Sequence, residues 1–189
     1  MKITAVLLGC VLLCPMIVLA ADPFNYDYVE VNYQHNSPDN GSTANGPGLA
    51  VAYTIWSEIQ LVGGYARLNA SAPVSNITYE NSYAGIRGET NFNESTDFYT
   101  DILYLNDRTE YQSTHSTNTG YRLAVGMRHL YNRWIELDIS AGHNSLNQSS
   151  NDGTVGLLVN ATSWLAVGVS YSHNSVTNNT SSLRVRAYF

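Results

Sequence analysis

The sequence is poor in cysteine and lysine. Its two cysteines, Cys10 and Cys14, and its single lysine, Lys2, all lie within the first twenty residues. Without that segment the chain has no cysteine and can form no disulfide bond. It then has eight arginines against fifteen Asp and Glu residues, a net charge of −7. This acidic balance argues against a nucleic-acid partner, which would require a basic surface.

Only one long hydrophobic run is present, and it lies at the start of the sequence. It extends from Ile3 to Leu19, directly after Lys2, and small residues precede a cleavage point after Ala20. These features predict a secretory signal peptide over residues 1–20. The alternative is a retained membrane helix, but no second apolar helical segment follows it.

Residues 21–189 are expected to form one domain built only from strands. Runs of about ten residues alternate apolar and polar side chains, and a period of two is typical of a strand with one apolar face. Each run has about the 9–11 residues that a tilted membrane strand requires. The predicted strands are 26–35, 47–55, 58–68, 79–88, 96–106, 119–129, 134–144, 153–161, 164–174 and 181–189.

The connections between these strands fall into two classes. Tight connections near 56–57, 89–95, 130–133 and 162–163 alternate with mostly longer ones that are rich in Asn, Ser, Thr and Gly, at 36–46, 69–78, 107–118, 145–152 and 175–180. Short periplasmic turns and longer extracellular loops are typical of outer-membrane barrels. The sequence therefore predicts an all-β, transmembrane, antiparallel up-and-down barrel. It has ten strands, with eight as the alternative, and both termini lie in the periplasm.

The two faces of the strands differ in a way that indicates which one meets lipid. Small residues and opposed charges, and no lysine, occupy the polar faces. Glycine and alanine leave room for large side chains in a closed interior, whereas a solvent-facing sheet has no need of them. We therefore expect the apolar faces to meet lipid and the polar faces to line the lumen. A soluble barrel or sandwich with its apolar face inward is the alternative.

The inward faces carry charges of both signs. Arg128 is expected nearly opposite Glu136, and barrel closure should bring Glu30 level with the arginines of the last strand. Since isolated charges in a confined space are costly and ten strands enclose a narrow lumen, the pattern favours a salt-bridged plug over a conduit. The predicted lumen network is Glu30, Arg87, Asp101, Arg122, Arg128, Glu136, Asp138, Arg184 and Arg186.

Tyrosines recur where the odd-numbered strands approach their outer loops. Such rings are typical of an interfacial aromatic girdle, because an amphipathic ring is stable at the level of the headgroups. The predicted girdle consists of Tyr33, Tyr65, Tyr104 and Tyr171.

The triplet His-Asn-Ser occurs three times, at 35–37, 143–145 and 173–175. A histidine two residues before a serine resembles the dyad of outer-membrane lipid A deacylases, in which His acts as base and Ser as nucleophile. However, the hairpin repeat already explains the recurrence, no acidic residue is fixed beside any copy, and the flanking deacylase pattern is absent. We therefore predict no enzyme. The histidines also lack metal-ligand spacing, so no metal or cofactor is expected.

The whole of 21–189 resembles the small bacterial outer-membrane barrels, a group that includes the OmpA transmembrane domain and OmpX. Its more specific segments are similar to those of a ten-stranded gamma-proteobacterial subfamily: Tyr26-x-Tyr28-Val29-Glu30, Leu61-Val62-Gly63-Gly64-Tyr65, Ser95-Thr96-Asp97 and Phe189. The resemblance implies escort by periplasmic chaperones and insertion by the barrel assembly machinery. The insertion signal would consist of Leu183, Val185 and Phe189, with Ala187 as a departure from the usual larger residue.

These features predict an integral outer-membrane protein with a structural or surface-interaction role, in contact with outer-membrane lipids and lipopolysaccharide. A narrow pore for ions or small solutes is the alternative. An enzyme that acts on lipid A or on peptides is the least favoured of the three.

Overall fold

The computed structural model describes residues 24, 26–37, 42–71, 76–111, 114–176 and 179–189, so the predicted signal peptide lies outside the described residues. No helix among the described residues is long and apolar enough to cross a membrane. The described ranges form ten strands: β1 (Tyr28–Ser37), β2 (Ala44–Trp56), β3 (Ile59–Ser71), β4 (Asn76–Asn93), β5 (Thr96–Tyr111), β6 (Thr114–Asn132), β7 (Ile135–Ser145), β8 (Ser149–Asn160), β9 (Leu165–Asn174) and β10 (Asn179–Tyr188).

The strands form one closed antiparallel barrel. Each strand pairs with its neighbours in sequence, and β1 pairs with β10 from Tyr28 opposite Tyr188 to Ser37 opposite Asn179. Closure leaves no strand at an edge along the body of the barrel. The predicted ten-stranded, up-and-down architecture is confirmed, and the eight-stranded alternative is wrong.

Three strands exceed their predicted lengths by five residues or more. β4, β5 and β6 have 18, 16 and 19 residues, so most of the predicted loops 69–78 and 107–118 belongs to strands, and the predicted turn 89–95 is shortened to 94–95. The two-residue period could not reveal these extensions, because polar residues occupy both of their faces. Continuous pairing between β5 and β6 supplies the structure that alternation did not indicate.

Side-chain exposure alternates along the strands as the sequence predicts. In β9, Ala166 is fully buried in the lumen, whereas Val167 and Val169 point outward and are 41% and 54% exposed. In β4, Ile86 points outward and the Arg87 side chain inward, with 14% exposure. The outer wall is therefore apolar and the lumen holds the charges.

Aromatic side chains ring the outer wall at two levels. The predicted girdle tyrosines all point outward near the outer loops, and Tyr121 joins them. A second ring lies at the opposite end, where Trp56, Trp134 and Trp164 stand at the tight turns. Tyr121 belongs to the first ring, and Tyr131 lies near a tight turn at the end that carries the second ring, ten residues further along β6. At about 3.4 Å per residue and a tilt of about 40°, the two rings are therefore about 26 Å apart. That spacing matches the apolar band of an outer-membrane barrel.

Candidate functional sites in the lumen and at the outer rim

The seam between β1 and β10 is held by a three-residue ion cluster in the lumen. The Glu30 carboxylate accepts from Arg184 Nε at 3.0 Å and Arg184 Nη2 at 2.8 Å. It also accepts from Arg186 Nε at 3.0 Å, and Arg186 Nη2 lies at 2.9 Å. Since Glu30 and Arg186 are both buried, the first and last strands are joined by a shielded ion pair as well as by backbone hydrogen bonds.

A second cluster links the seam to the opposite side of the lumen. Arg128 Nε donates to Glu136 at 3.0 Å, and Arg186 Nη1 lies 3.6 Å from the same carboxylate. The register places Arg128 opposite Asp138 and Leu130 opposite Glu136. The expectation that Arg128 lies nearly opposite Glu136 is therefore corrected: the pair is diagonal, and the length of the arginine side chain bridges the offset.

The remaining predicted charges form a third group on β4 to β7. Arg87 makes a two-pronged bond to Asp101, at 2.7 and 3.0 Å, and its guanidinium lies 4.0 Å from the centre of the Tyr99 ring. The Tyr99 hydroxyl donates to Asp138 at 2.7 Å. Arg122 lies 3.9 Å from Asp101 and makes its shorter bond, 2.6 Å, to an acid outside the predicted set.

Sequence reasoning missed three acidic residues of the lumen. Asp152 pairs with Arg122, Glu89 lies 4.0 Å from Arg128, and Asp97 accepts from Tyr26. Asp152 and Glu89 fell in segments predicted as connections. Asp97 shares its parity with the predicted Asp101 on the same strand, so the alternation was sufficient to find it.

An apolar layer crosses the lumen beside the ion clusters. Tyr28 and Tyr188 meet edge to face with ring centres 6.4 Å apart, and they cluster with other buried apolar side chains. Their partners come from strands all around the barrel: Ala52, Val62, Leu103, Leu158 and Ala166. The lumen is therefore occupied by packed rings and aliphatic side chains as well as by charges.

Phe24 and Tyr26, which precede β1, lie at the end of the lumen near the tight turns. Phe24 is buried, and the Arg128 guanidinium lies 5.1 Å from its ring centre and 5.5 Å from that of Tyr26. The Tyr26 hydroxyl donates to Asp97 at 2.5 Å and lies 2.7 Å from Asn91 Oδ1. Burial, together with the bond to Asp97, raises the pKa of the Tyr26 phenol, so it remains the proton donor.

The three His-Asn-Ser triplets lie at the outer rim with their histidines pointing away from the lumen. Each histidine contacts an asparagine of the neighbouring strand through Nδ1: His35 with Asn45 at 2.5 Å, His143 with Asn151 at 2.9 Å, and His173 with Asn179 at 2.7 Å. The first triplet has a further contact, because Ser37 Oγ lies 3.0 Å from His35 Nε2. This arrangement aligns a hydroxyl, an imidazole and an amide in one chain of contacts.

An apolar groove of about 570 Å³ runs down the outer wall from His35. Its floor follows two rows of residues paired across β7, β8, β9, β10 and β1. In the upper row, the small Ser181 lies between Tyr171 and His35, which leaves a gap in the aromatic girdle. Below it lie Leu183, Val169, Leu157, Leu137 and Tyr33.

The other sequence-predicted residues lie apart from these sites. Leu183, Val185 and Phe189 point outward along β10 and its end. No group of three or more His, Cys, Asp or Glu residues in the described part of the chain is arranged to hold a metal ion.

Solved structures share this fold. The NanC porin has a TM-score of 0.50 and 11% identity, over 86% of this chain and 99% of its own. The translocator domain of the autotransporter NalP from Neisseria meningitidis has a TM-score of 0.51 and 9% identity, over 98% of this chain and 96% of its own. No family model and no curated protein sequence matches the chain. The chain has the closed-barrel fold of outer-membrane proteins, as its sequence predicts.

Proposed function

We propose that this chain is an integral protein of the bacterial outer membrane with a closed lumen, and that its role is structural or is exerted by its outer surface. Its periplasmic end would carry both termini and the tryptophan ring. The observation that supports the proposal is that five inward arginines are paired with acids and that buried apolar side chains from strands around the barrel pack together inside it.

The alternative of a narrow pore is less well supported by the same geometry. A conduit needs charged groups that face water, whereas the lumen arginines are engaged by carboxylates at 2.6–3.0 Å. Barrels of about this strand number are usually filled by their own side chains. The segment containing Phe24 and Tyr26 adds a second obstruction at the periplasmic end.

The outer surface offers a place for a partner chain. From Thr114 to Gly120, β6 pairs with β5 but has no second strand partner among the described residues, because its pairing with β7 begins at Tyr121. The Asn147 side chain donates to Asn118 and covers part of this edge. Exposed strand edges accept extended peptides by backbone hydrogen bonding. This partly uncovered strand edge at the outer rim supports a surface-interaction role.

In planar bilayers, we expect the inserted protein to give no steady single-channel current. Insertion is checked in parallel by flotation with vesicles and by the gel shift that a folded barrel shows between unboiled and boiled samples. Reproducible conductance steps from protein that passes both checks would overturn the closed lumen and favour the pore.

The orientation of the wall is tested by Val169→Arg. An arginine on the lipid face at mid-bilayer depth costs about 2–4 kcal/mol, whereas near the interface the cost is about 0–1 kcal/mol. His173→Arg lies on the same face of β9 at the rim, and is the matched control. We expect the first variant to lose folded protein in a membrane-fractionation assay and the second to retain it. Equal tolerance would contradict the assigned depth.

The same proposal includes the partners that such a barrel needs. We expect the outward apolar strand of Leu183, Val185 and Phe189 to be read by the barrel assembly machinery after chaperone escort through the periplasm. Outer-membrane lipids and lipopolysaccharide would then surround the wall between the two aromatic rings.

A further inference from the structure

We propose that the outer rim carries a hydrolase site in which Ser37 is the nucleophile, His35 the general base and Asn45 a positioning residue, and that it cleaves a carboxylic ester of a long-chain lipid. The proposal rests on the outer-membrane location given above and goes beyond it, since a closed lumen requires no reaction. It departs from the sequence-based prediction of no enzyme, which rested on the hairpin repeat, the missing deacylase flanks and the lack of an acid beside any copy.

One tautomer of His35 satisfies both contacts. With its proton on Nδ1, the ring donates to Asn45 Oδ1 at 2.5 Å. In this tautomer, Nε2 carries the lone pair and accepts from the Ser37 hydroxyl at 3.0 Å. A nucleophile bonded to a base, with the base oriented by a third group, is the geometry that identifies such sites. An amide serves as the third group in some of them.

Strand pairing explains why these three residues meet. Ser37 and His35 are two residues apart on β1 and therefore point to the same side, and His35 lies directly opposite Asn45 of β2. Asn179 of β10 lies opposite Ser37, and its Oδ1 is engaged by His173. We assign its amide NH₂ group, which takes no part in that contact, as the donor to the oxyanion that would form at Ser37.

The groove on the outer wall indicates the class of substrate. It is lined mainly by apolar side chains, lies between the two aromatic rings, and has His35 at its outer end. In the bilayer, an acyl chain that fills the groove would bring the ester at its head to the rim, beside His35 and Ser37.

The reaction balances with water as the only co-reactant. Ser37 Oγ attacks the ester carbonyl while its proton passes to His35 Nε2. The acyl carbon–oxygen bond then breaks, and the imidazolium returns the proton to the leaving alkoxide. Water attacks the acyl-serine with His35 again as base, which releases the fatty acid and restores the Ser37 hydroxyl.

The other two triplets provide internal controls. They have the same His–Asn contact, but in the described structure neither Ser145 nor Ser175 donates to its histidine, and Ser175 Oγ instead accepts from the backbone N–H of Asn151 at 3.0 Å. If a histidine and a serine at the rim were sufficient, all three triplets would react. The contact between Ser37 and His35 instead limits the predicted reaction to the first triplet.

The test uses the folded protein in mixed micelles with 4-nitrophenyl palmitate and 4-nitrophenyl butyrate, and an alkyl fluorophosphonate that reacts covalently with activated serines. We expect ester hydrolysis and phosphonylation at Ser37, located by peptide mass spectrometry. Ser37→Ala and His35→Ala should each lower kcat/KM by about 100-fold or more. Ser145→Ala and Ser175→Ala should leave it unchanged.

Two further variants separate positioning and chain binding from chemistry. Asn45→Ala should lower kcat with little change in KM, and Asn45→Asp should restore it, because either side chain accepts from His35 Nδ1. Ser181→Trp fills the gap in the groove and should raise KM for the palmitate but not for the butyrate. Ala84→Trp, on a distant part of the wall, is its control.

Vesicles of phosphatidylethanolamine and purified lipopolysaccharide then identify the source of the ester from the masses of the released products. The proposal is overturned if folded protein neither hydrolyses the esters nor labels at Ser37, if Ser37→Ala retains activity, or if neither lipid is cleaved. The gel shift and the bilayer recordings are independent of these assays, so a failure here leaves the barrel and its closed lumen standing.

Discussion

Replacing Glu30 with glutamine is expected to destabilise the barrel by about 3–5 kcal/mol, because it leaves two arginines in the lumen without their shared carboxylate. Glu30 is 4% exposed and contacts both Arg184 and Arg186 across the β1–β10 seam. Glutamine keeps the shape but can offer only one carbonyl oxygen and no charge. The measurement is urea unfolding in lipid vesicles, followed by the loss of the fast-migrating folded band on unboiled gels.

The matched control is Glu110→Gln, which removes an acid of the same kind from an exposed pair. Arg108 and Glu110 are bonded at 2.5 Å with side chains 44% and 36% exposed, and such pairs contribute at most about 1 kcal/mol. A second variant, Glu30→Gln with Arg184→Gln, should recover part of the loss because one unpaired cation is gone. If Glu30→Gln unfolds at the same urea concentration as Glu110→Gln, the seam is not held by this cluster.

The strand count, the closure and the direction of each wall residue could be predicted from the sequence. A two-residue period with small and charged residues on one face is compatible with few folds, and Arg87 illustrates the reason. The cost of an arginine that faces lipid predicts an inward side chain at this position, and Arg87 lies in the lumen bonded to Asp101. Closure itself brought Glu30 to Arg184 and Arg186, since the first and last strands must pair.

The offset between strands could not be predicted, and the details of the sites depend on it. Alternation assigns a face but leaves register free. The sequence therefore predicts Arg128 nearly opposite Glu136, whereas its direct partner is Asp138 and Glu136 lies on the diagonal. The contact of His35 with Asn45 depends on the same offset between β1 and β2. The sequence has no signal that would place an amide of the neighbouring strand beside a histidine.

Gly85→Ala is expected to prevent or strongly impair folding, because a Cβ at this position has no space. It would lie 2.0 Å from the backbone oxygen of Ile102 and 2.8 Å from the Cα of Leu103, both on the adjoining strand β5. These are backbone atoms, so relief requires β4 and β5 to separate along their hydrogen-bonded ladder. Overpacking usually costs about 1–3 kcal/mol, and an immovable obstacle places this variant at or above the upper limit.

Gly88→Ala, three residues along the same strand, is the control that isolates close approach from the general effect of adding a methyl group. A Cβ there meets no atom within 4 Å, so we expect stability within about 0.5 kcal/mol of the parent. Refolded fraction and urea midpoint in vesicles compare the two variants directly. Equal folding of both would mean that β4 and β5 approach each other less closely at Gly85. The packing of Leu103 in the lumen would then need to be revised as well, because that side chain belongs to the apolar cluster around Tyr28 and Tyr188.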